Sequence, residues 1–308
     1  SMRWIATVIG FSCLIVPFAA GAQATQGAPV EIGQRYVLQS KNMDSARDFA
    51  VFVPPACTAE TRCPALYVLD GAADTGFPFF AGLVNAGPLL RIFKPIVVIG
   101  IASVDRNNEL TFPTTDGEAL KKFPTAGGSA QFRRFVVDEV KPWATANLPI
   151  SDESILLGHS FGGLFVVETA LKAPADFTHY IATSPSLWWD NKSLLAAAPA
   201  GIAKLGGHSL YLTLGNEVDP EKESVQNLVA LLDKSAPADL RWTWQPRPDQ
   251  NHGSIIVATA SDALRWALAE QKAKLGDEGV KAASPGTTPH TTPEGTATST
   301  PSPRSTRP

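Results

Sequence analysis

The 308-residue chain has few of the residues that build metal or redox centres: three cysteines, two methionines and five histidines. Two of the cysteines, Cys57 and Cys63, flank a short polar loop, Thr58 to Arg62, with no second Cys or His pair nearby. A zinc site is therefore not expected, and in an oxidising compartment the two should form a disulfide. Charge of one sign is also lacking, with 26 Lys and Arg against 29 Asp and Glu and a formal net charge of −3. That balance speaks against nucleic acid as a partner. After about Gly276 there is almost no large apolar residue among Thr, Pro, Ser and Gly, so residues 276–308 are expected to stay disordered for want of a core.

Only one long apolar run is present, Trp4 to Ala19. It follows Met2-Arg3 and ends in the small residues Ala20-Gly21-Ala22, at the lower limit of what a bilayer requires. This pattern predicts a signal peptide over residues 1–22, cut after Ala22. The expected product is periplasmic or secreted, with no stable membrane insertion once the signal is removed.

The remaining residues, 23–275, have the length of one α/β domain. Short runs rich in Val, Ile and Leu recur between helical patterns, as a mostly parallel sheet buried on both faces requires. Arg35 to Gln39 and Ala50 to Val53 read as first strands at an antiparallel edge. Ala65 to Leu69, Ile96 to Ile101, Ile155 to Leu157, Tyr180 to Ala182 and Leu210 to Leu214 read as buried strands, with Arg241 to Gln245 the last. Helical spacing marks Phe132 to Val140, kinked at Pro142, Leu164 to Leu171, and a final amphipathic helix from Ile255 to Lys274. Sites in such sheets lie at the carboxyl ends of strands, so functional residues should follow strands directly.

Gly158-His159-Ser160-Phe161-Gly162 is a G-x-S-x-G pattern, which composition alone gives about once in ten chains of this length. Its setting is more specific: an apolar strand ends at Gly158 and a helix pattern begins near Gly162, the strand-turn-helix in which a strained serine projects its hydroxyl above a sheet. Small residues at 158 and 162 would permit so tight a turn. The N–H of Phe161, at the helix start, is then a donor for a developing oxyanion. A second donor is expected from the loop after Leu66 to Leu69, from Ala72 first and Gly71 as alternate, with glycine letting the backbone approach a ligand.

A serine hydroxyl needs a base. His159 belongs to the turn itself and should point away from Ser160, His290 lies in the tail, and His179 and His208 precede strands, at the wrong edge of the sheet. His252, in Asp249-Gln250-Asn251-His252-Gly253-Ser254, lies after the last strand and before the last helix. The third group should follow the strand Leu210 to Leu214, where Gly215-Asn216-Glu217-Val218-Asp219 offers Glu217 first, then Asp219, with Asp190 a remoter choice. The order Ser160, Glu217, His252 is that of the α/β-hydrolase fold, and the chemistry requires no metal or organic cofactor.

The blocks Leu66 to Gly71, Gly158 to Leu164, Ser184-Pro185-Ser186-Leu187-Trp188-Trp189 and Asn251 to Ser254 resemble, in order, the putative esterase family of α/β-hydrolases, which includes esterase D-like enzymes and siderophore trilactone esterases. The likeness spans about Arg35 to Ala269. It implies Ser160 and His252 as nucleophile and base, Trp188 and Trp189 at the substrate pocket, and Arg106 near the site to steer an anionic substrate. The implied activity is hydrolysis of a small-molecule ester, a siderophore lactone or aromatic acyl ester, with acyl transfer to a sugar or lipid alcohol the alternative. One departure stands out: related sequences often carry the acid three positions past the strand-ending glycine, and here that position is Val218.

Overall fold

The computed structural model describes residues 24–269, so the expected signal segment, the tail and the last residues of the final helix lie outside the described residues. Eight strands form one sheet: β1 (Gln34–Ser40), β2 (Ser45–Phe52), β3 (Cys63–Leu69), β4 (Val97–Ile101), β5 (Ile150–His159), β6 (His179–Thr183), β7 (Ser209–Leu214) and β8 (Arg241–Pro246). Their spatial order is β1-β2-β4-β3-β5-β6-β7-β8. The β1–β2 hairpin is antiparallel and joins β4 antiparallel; from β4 to β8 every pairing is parallel. This is the α/β-hydrolase fold, with helices on both faces of the sheet.

β3 is buried along its whole length, yet its side chains alternate between two cores. Tyr67 and Leu69 face the cluster that contains Leu164, Phe165 and Leu228. Leu66 and Val68 face the cluster of Phe77, Phe80, Val84 and Leu264. Period two thus survives inside an unbroken apolar run because both faces are covered. Each such Leu or Val contributes about 1.5–3 kcal/mol by leaving water.

Two elements depart from expectation. β5 begins at Ile150, five residues earlier than the apolar run, because Ser151, Asp152 and Glu153 dilute the hydrophobic signal while the backbone already pairs Ile150 with Cys63. The helix expected before it is a composite: α-helical over Ser129–Arg134, π-helical over Phe135–Val140, and α-helical again over Lys141–Asn147. The wide turns end just ahead of Pro142, whose missing N–H cannot continue the ladder. Cys57 and Cys63 are joined by a disulfide at the amino end of β3.

The chain leaves β3 toward β4 on one side, and β5 then returns to the other side of β3. The carboxyl ends of β3 and β5 therefore flank the point where the connections diverge, which is where open α/β sheets form their crevice.

Candidate active site

Ser160 sits between β5 and the helix Phe161–Lys172 with φ 60° and ψ −119°, a left-handed backbone that costs a non-glycine residue of order 1–3 kcal/mol. Close packing holds it there. A Cβ at Gly158 would lie 2.3 Å from the Gly162 carbonyl oxygen, and one at Gly163 would lie 2.9 Å from Thr183 O. A Cβ at Gly162 would meet nothing nearer than 3.5 Å. The small residues that the turn demands are thus Gly158 and Gly163, not Gly158 and Gly162: the Gly162 backbone is the crowding partner. The Ser160 N–H donates to Thr183 O at 3.0 Å, and Ser160 O accepts from Ser186 at 3.2 Å, tying the turn to the end of β6.

His252 lies on a loop folded by its own side chains. Asn251 Oδ1 accepts from the N–H groups of Gly253 and Ser254 at 2.9 and 3.0 Å, and the Asn216 N–H donates to Gln250 O at 2.8 Å, clamping this loop to the one after β7. The clamp brings His252 Nδ1 to 2.8 Å from Glu217 Oε1. Burial pushes the Glu217 carboxyl upward, but the hydroxyl of Ser184 and the imidazole of His252 outweigh it, so the net displacement is below the ordinary glutamate value. Glu217 is therefore an anion at neutral pH. The other acids are engaged elsewhere. Asp219 Oδ1 accepts from the Glu223 N–H at 3.0 Å, in the first turn of the helix Glu221–Ser235, and Asp190 holds Thr114, Thr115 and Ser193.

Ser160, Glu217 and His252 line one cleft of about 410 Å³, together with Arg106, Phe123, Phe161, Ser186 and Trp188. The larger depression of about 490 Å³ next to it, beyond Val218, contains Glu217 but neither Ser160 nor His252. The chemistry therefore points to the smaller space.

Other expected residues fall in and around this cleft. Trp188 lines it. Trp189, expected beside it, is instead fully buried beneath, its indole Nε1 donating to Phe112 O at 2.8 Å. Two consecutive residues at the start of a helix cannot both face the same opening. Phe161 is the first residue of its helix, so its N–H has no partner within that helix. The Gly71 N–H donates to Ile101 O at 3.0 Å and is not free. A Cβ there would stand 2.6 Å from Gly100 Cα, so the close approach that Gly71 permits is to β4 rather than to a ligand. The Ala72 N–H donates to no backbone carbonyl among the described residues, but Ala72 does not line the cleft.

Arg106 forms a two-pronged pair with Asp70, at 2.8 Å from Nε and 2.9 Å from Nη2, and reaches His159 O at 3.3 Å. Its guanidinium lies 5.6 Å from the Phe161 ring centroid. The motifs did not reveal that Asp70 would be the anchor, since Asp-Gly there reads equally as a simple turn. The motifs point to neither Phe123 nor Ser186; Phe123 ends the helix Gly117–Lys122, which is too short to show a periodic apolar pattern. Among the described residues no group of three or more His, Cys, Asp or Glu side chains converges as a metal site would.

A serine at a strained strand-to-helix turn, sharing a cleft with an imidazole bonded to a carboxylate, belongs to the serine-hydrolase class of this fold. Comparison with known proteins agrees. Residues 40–242 match the family described as "Putative esterase", and the chain belongs to that family of carboxylic-ester hydrolases. It is 25% identical to the ferri-bacillibactin esterase BesA of Bacillus subtilis over 254 residues, 75% of this chain and 88% of that protein. It is 38% identical to the siderophore triacetylfusarinine C esterase of Aspergillus fumigatus over 159 residues, 47% of this chain and 51% of that one. Among solved structures, the BES protein from Bacillus cereus superposes with a TM-score of 0.72 at 23% identity, covering 80% of this chain and 99% of the other.

Proposed function

We propose that the protein is an exported serine esterase that acts through Ser160, His252 and Glu217 on siderophore lactones or related aromatic acyl esters. The observation that carries this reading is the 2.8 Å contact between His252 Nδ1 and Glu217 Oε1 in the same cleft as the strained Ser160. With Nδ1 donating to the carboxylate, the imidazole Nε2 is the basic nitrogen.

In acylation, Ser160 Oγ attacks the ester carbonyl carbon while its proton passes to His252 Nε2. The carbonyl oxygen becomes an oxyanion, for which the Phe161 N–H at the helix start is the donor. Collapse breaks the bond to the alkoxide, which takes the proton from His252. Water then attacks the acyl-serine, gives its proton to His252, and Ser160 leaves with that proton as the acid is released. Glu217 stays ionised and stabilises the imidazolium in both halves. No step calls on a metal or cofactor.

The aromatic walls Phe123, Phe161 and Trp188 and the cation Arg106 favour a flat, electron-rich or anionic acyl group, in keeping with the siderophore esters named for the relatives. Export is supported by the apolar leader and by the disulfide.

The test is incubation of the purified chain with p-nitrophenyl butyrate, a catechol-type trilactone and a fluorophosphonate probe. Turnover of the lactone with labelling at Ser160, abolished in Ser160→Ala, is the expected result. An unlabelled, inactive chain would overturn the reading, and acyl products on added alcohols in place of free acid would redirect it to acyl transfer.

A further inference from the structure

Glu217 has a second carboxylate oxygen that the proposed mechanism does not use. Among the described residues Oε2 is buried without a formed hydrogen bond, and so is the hydroxyl of Ser184, a residue 2% exposed. The two are neighbours by construction of the sheet. Thr183 at the end of β6 is in register with Thr213 of β7, and the Ser184 N–H donates to Thr213 O at 2.8 Å. Glu217, three residues past Leu214, folds back so that Oε2 stands 2.8 Å from where a Cβ of Gly215 would sit. Ser184 itself has φ 40°, left-handed for a residue with a side chain. Such backbone persists only where its surroundings impose it, and it often marks functional positions.

We propose, resting on the hydrolase reading above, that Ser184 is a positioning residue for the acid: its hydroxyl donates to Glu217 Oε2 and thereby turns Oε1 toward His252 Nδ1. Two buried polar atoms without a partner among the described residues, carried by the neighbouring carboxyl ends of β6 and β7, close into a hydrogen bond at little cost. Contacts of this kind are often long in an empty site and tighten when charge develops on the imidazole. The hydroxyl also helps to hold the carboxylate in its ionised form, the state that stabilises an imidazolium.

The test is a double-mutant cycle in the hydrolysis of p-nitrophenyl butyrate. Ser184→Ala is expected to lower kcat about tenfold to a hundredfold, as loss of a hydrogen bond to a charged group would, with KM within about twofold because the hydroxyl does not touch substrate. In a Glu217→Ala background the same substitution should change kcat by less than about twofold, since its partner is gone. Ser184→Gly, which accepts the left-handed backbone more easily and guards against misfolding, should repeat the Ala result. An equal loss in both backgrounds, or an active chain indifferent to both substitutions, overturns the assignment alone. A wild-type chain that neither hydrolyses esters nor labels at Ser160 overturns the hydrolase reading and the assignment together.

Discussion

The rings of His159 and His252 lie 4.6 Å apart between centroids, tilted by 44°. His159 is not turned out to solvent but placed as the neighbour of the proposed base. Burial, reinforced by the nearby His252, pushes its pKa down to about 4, so it is a neutral wall against which His252 can take a proton without meeting a second charge. In the unfolded chain an unperturbed histidine titrates near about 6.5. As pH falls from there to about 4, the unfolded state binds the proton first and folding stability declines. Replacing His159 with Gln removes that difference. Thermal midpoints measured across this range should fall less steeply for the variant than for the wild type, and parallel curves would show that His159 does not carry the dependence.

Glu217 and Asp219 are two residues apart in one loop, and their hydrogen bonds separate their roles. Glu217→Gln is expected to lower kcat by about a thousandfold or more, the scale at which loss of an acid partner acts in comparable sites, with little change in melting. Asp219→Ala should do the reverse. It removes the acceptor for the Glu223 N–H and costs about 1 kcal/mol as a lost hydrogen bond, or about 2–4 °C in Tm for a domain of this size, while kcat stays within about twofold. Kinetics and melting curves on the same two preparations decide between them.

The sheet and the elbow could be read from the chain because apolar runs and a Gly-rich turn are local signals. Ser160, Glu217 and His252 follow from a single topological rule, that functional loops leave the carboxyl ends of strands. What could not be read is long-range. Asp70 and Arg106 are 36 positions apart and meet only because β3 and β4 are adjacent and parallel. The burial of Trp189 beneath the cleft depends on a carbonyl at Phe112, in an irregular segment without a pattern. Gly71 reads as a site of ligand approach because a sequence cannot show that Gly100 presses on the same space. The start of β5 is hidden in the sequence because pairing with Cys63 outweighs the polarity of Ser151, Asp152 and Glu153.

The disulfide offers a test of how far stability and activity separate. Cys63 opens β3 at its amino end, whereas Asp70 and the cleft follow its carboxyl end. A bridge closing so short a loop stabilises by about 2–3 kcal/mol through the unfolded chain. The double variant Cys57→Ser, Cys63→Ser should therefore melt several degrees lower and yet keep kcat/KM within about twofold at 25 °C. A large loss of turnover in fully folded protein would mean that strain at the amino end of β3 reaches the cleft.

Arg106 is held by Asp70 with side chains 38% and 34% exposed, respectively. An ion pair so open to solvent contributes only about 0–1 kcal/mol to folding, so its main consequence should lie in binding. The paired guanidinium lines the cleft, where a carboxylate or catecholate on a substrate would meet it. Arg106→Ala should raise KM about tenfold for an anionic aryl ester and leave KM for p-nitrophenyl butyrate within about twofold, because only the charged substrate loses a partner. Arg106→Lys should not restore the loss, since an ammonium cannot pair both Asp70 oxygens in plane and face the cleft as well. Asp70→Asn keeps the cation but loosens its anchor, and should raise KM for the anionic ester by a smaller factor. Equal KM changes for the neutral and charged esters in all three variants would mean that Arg106 shapes the cleft without reading charge.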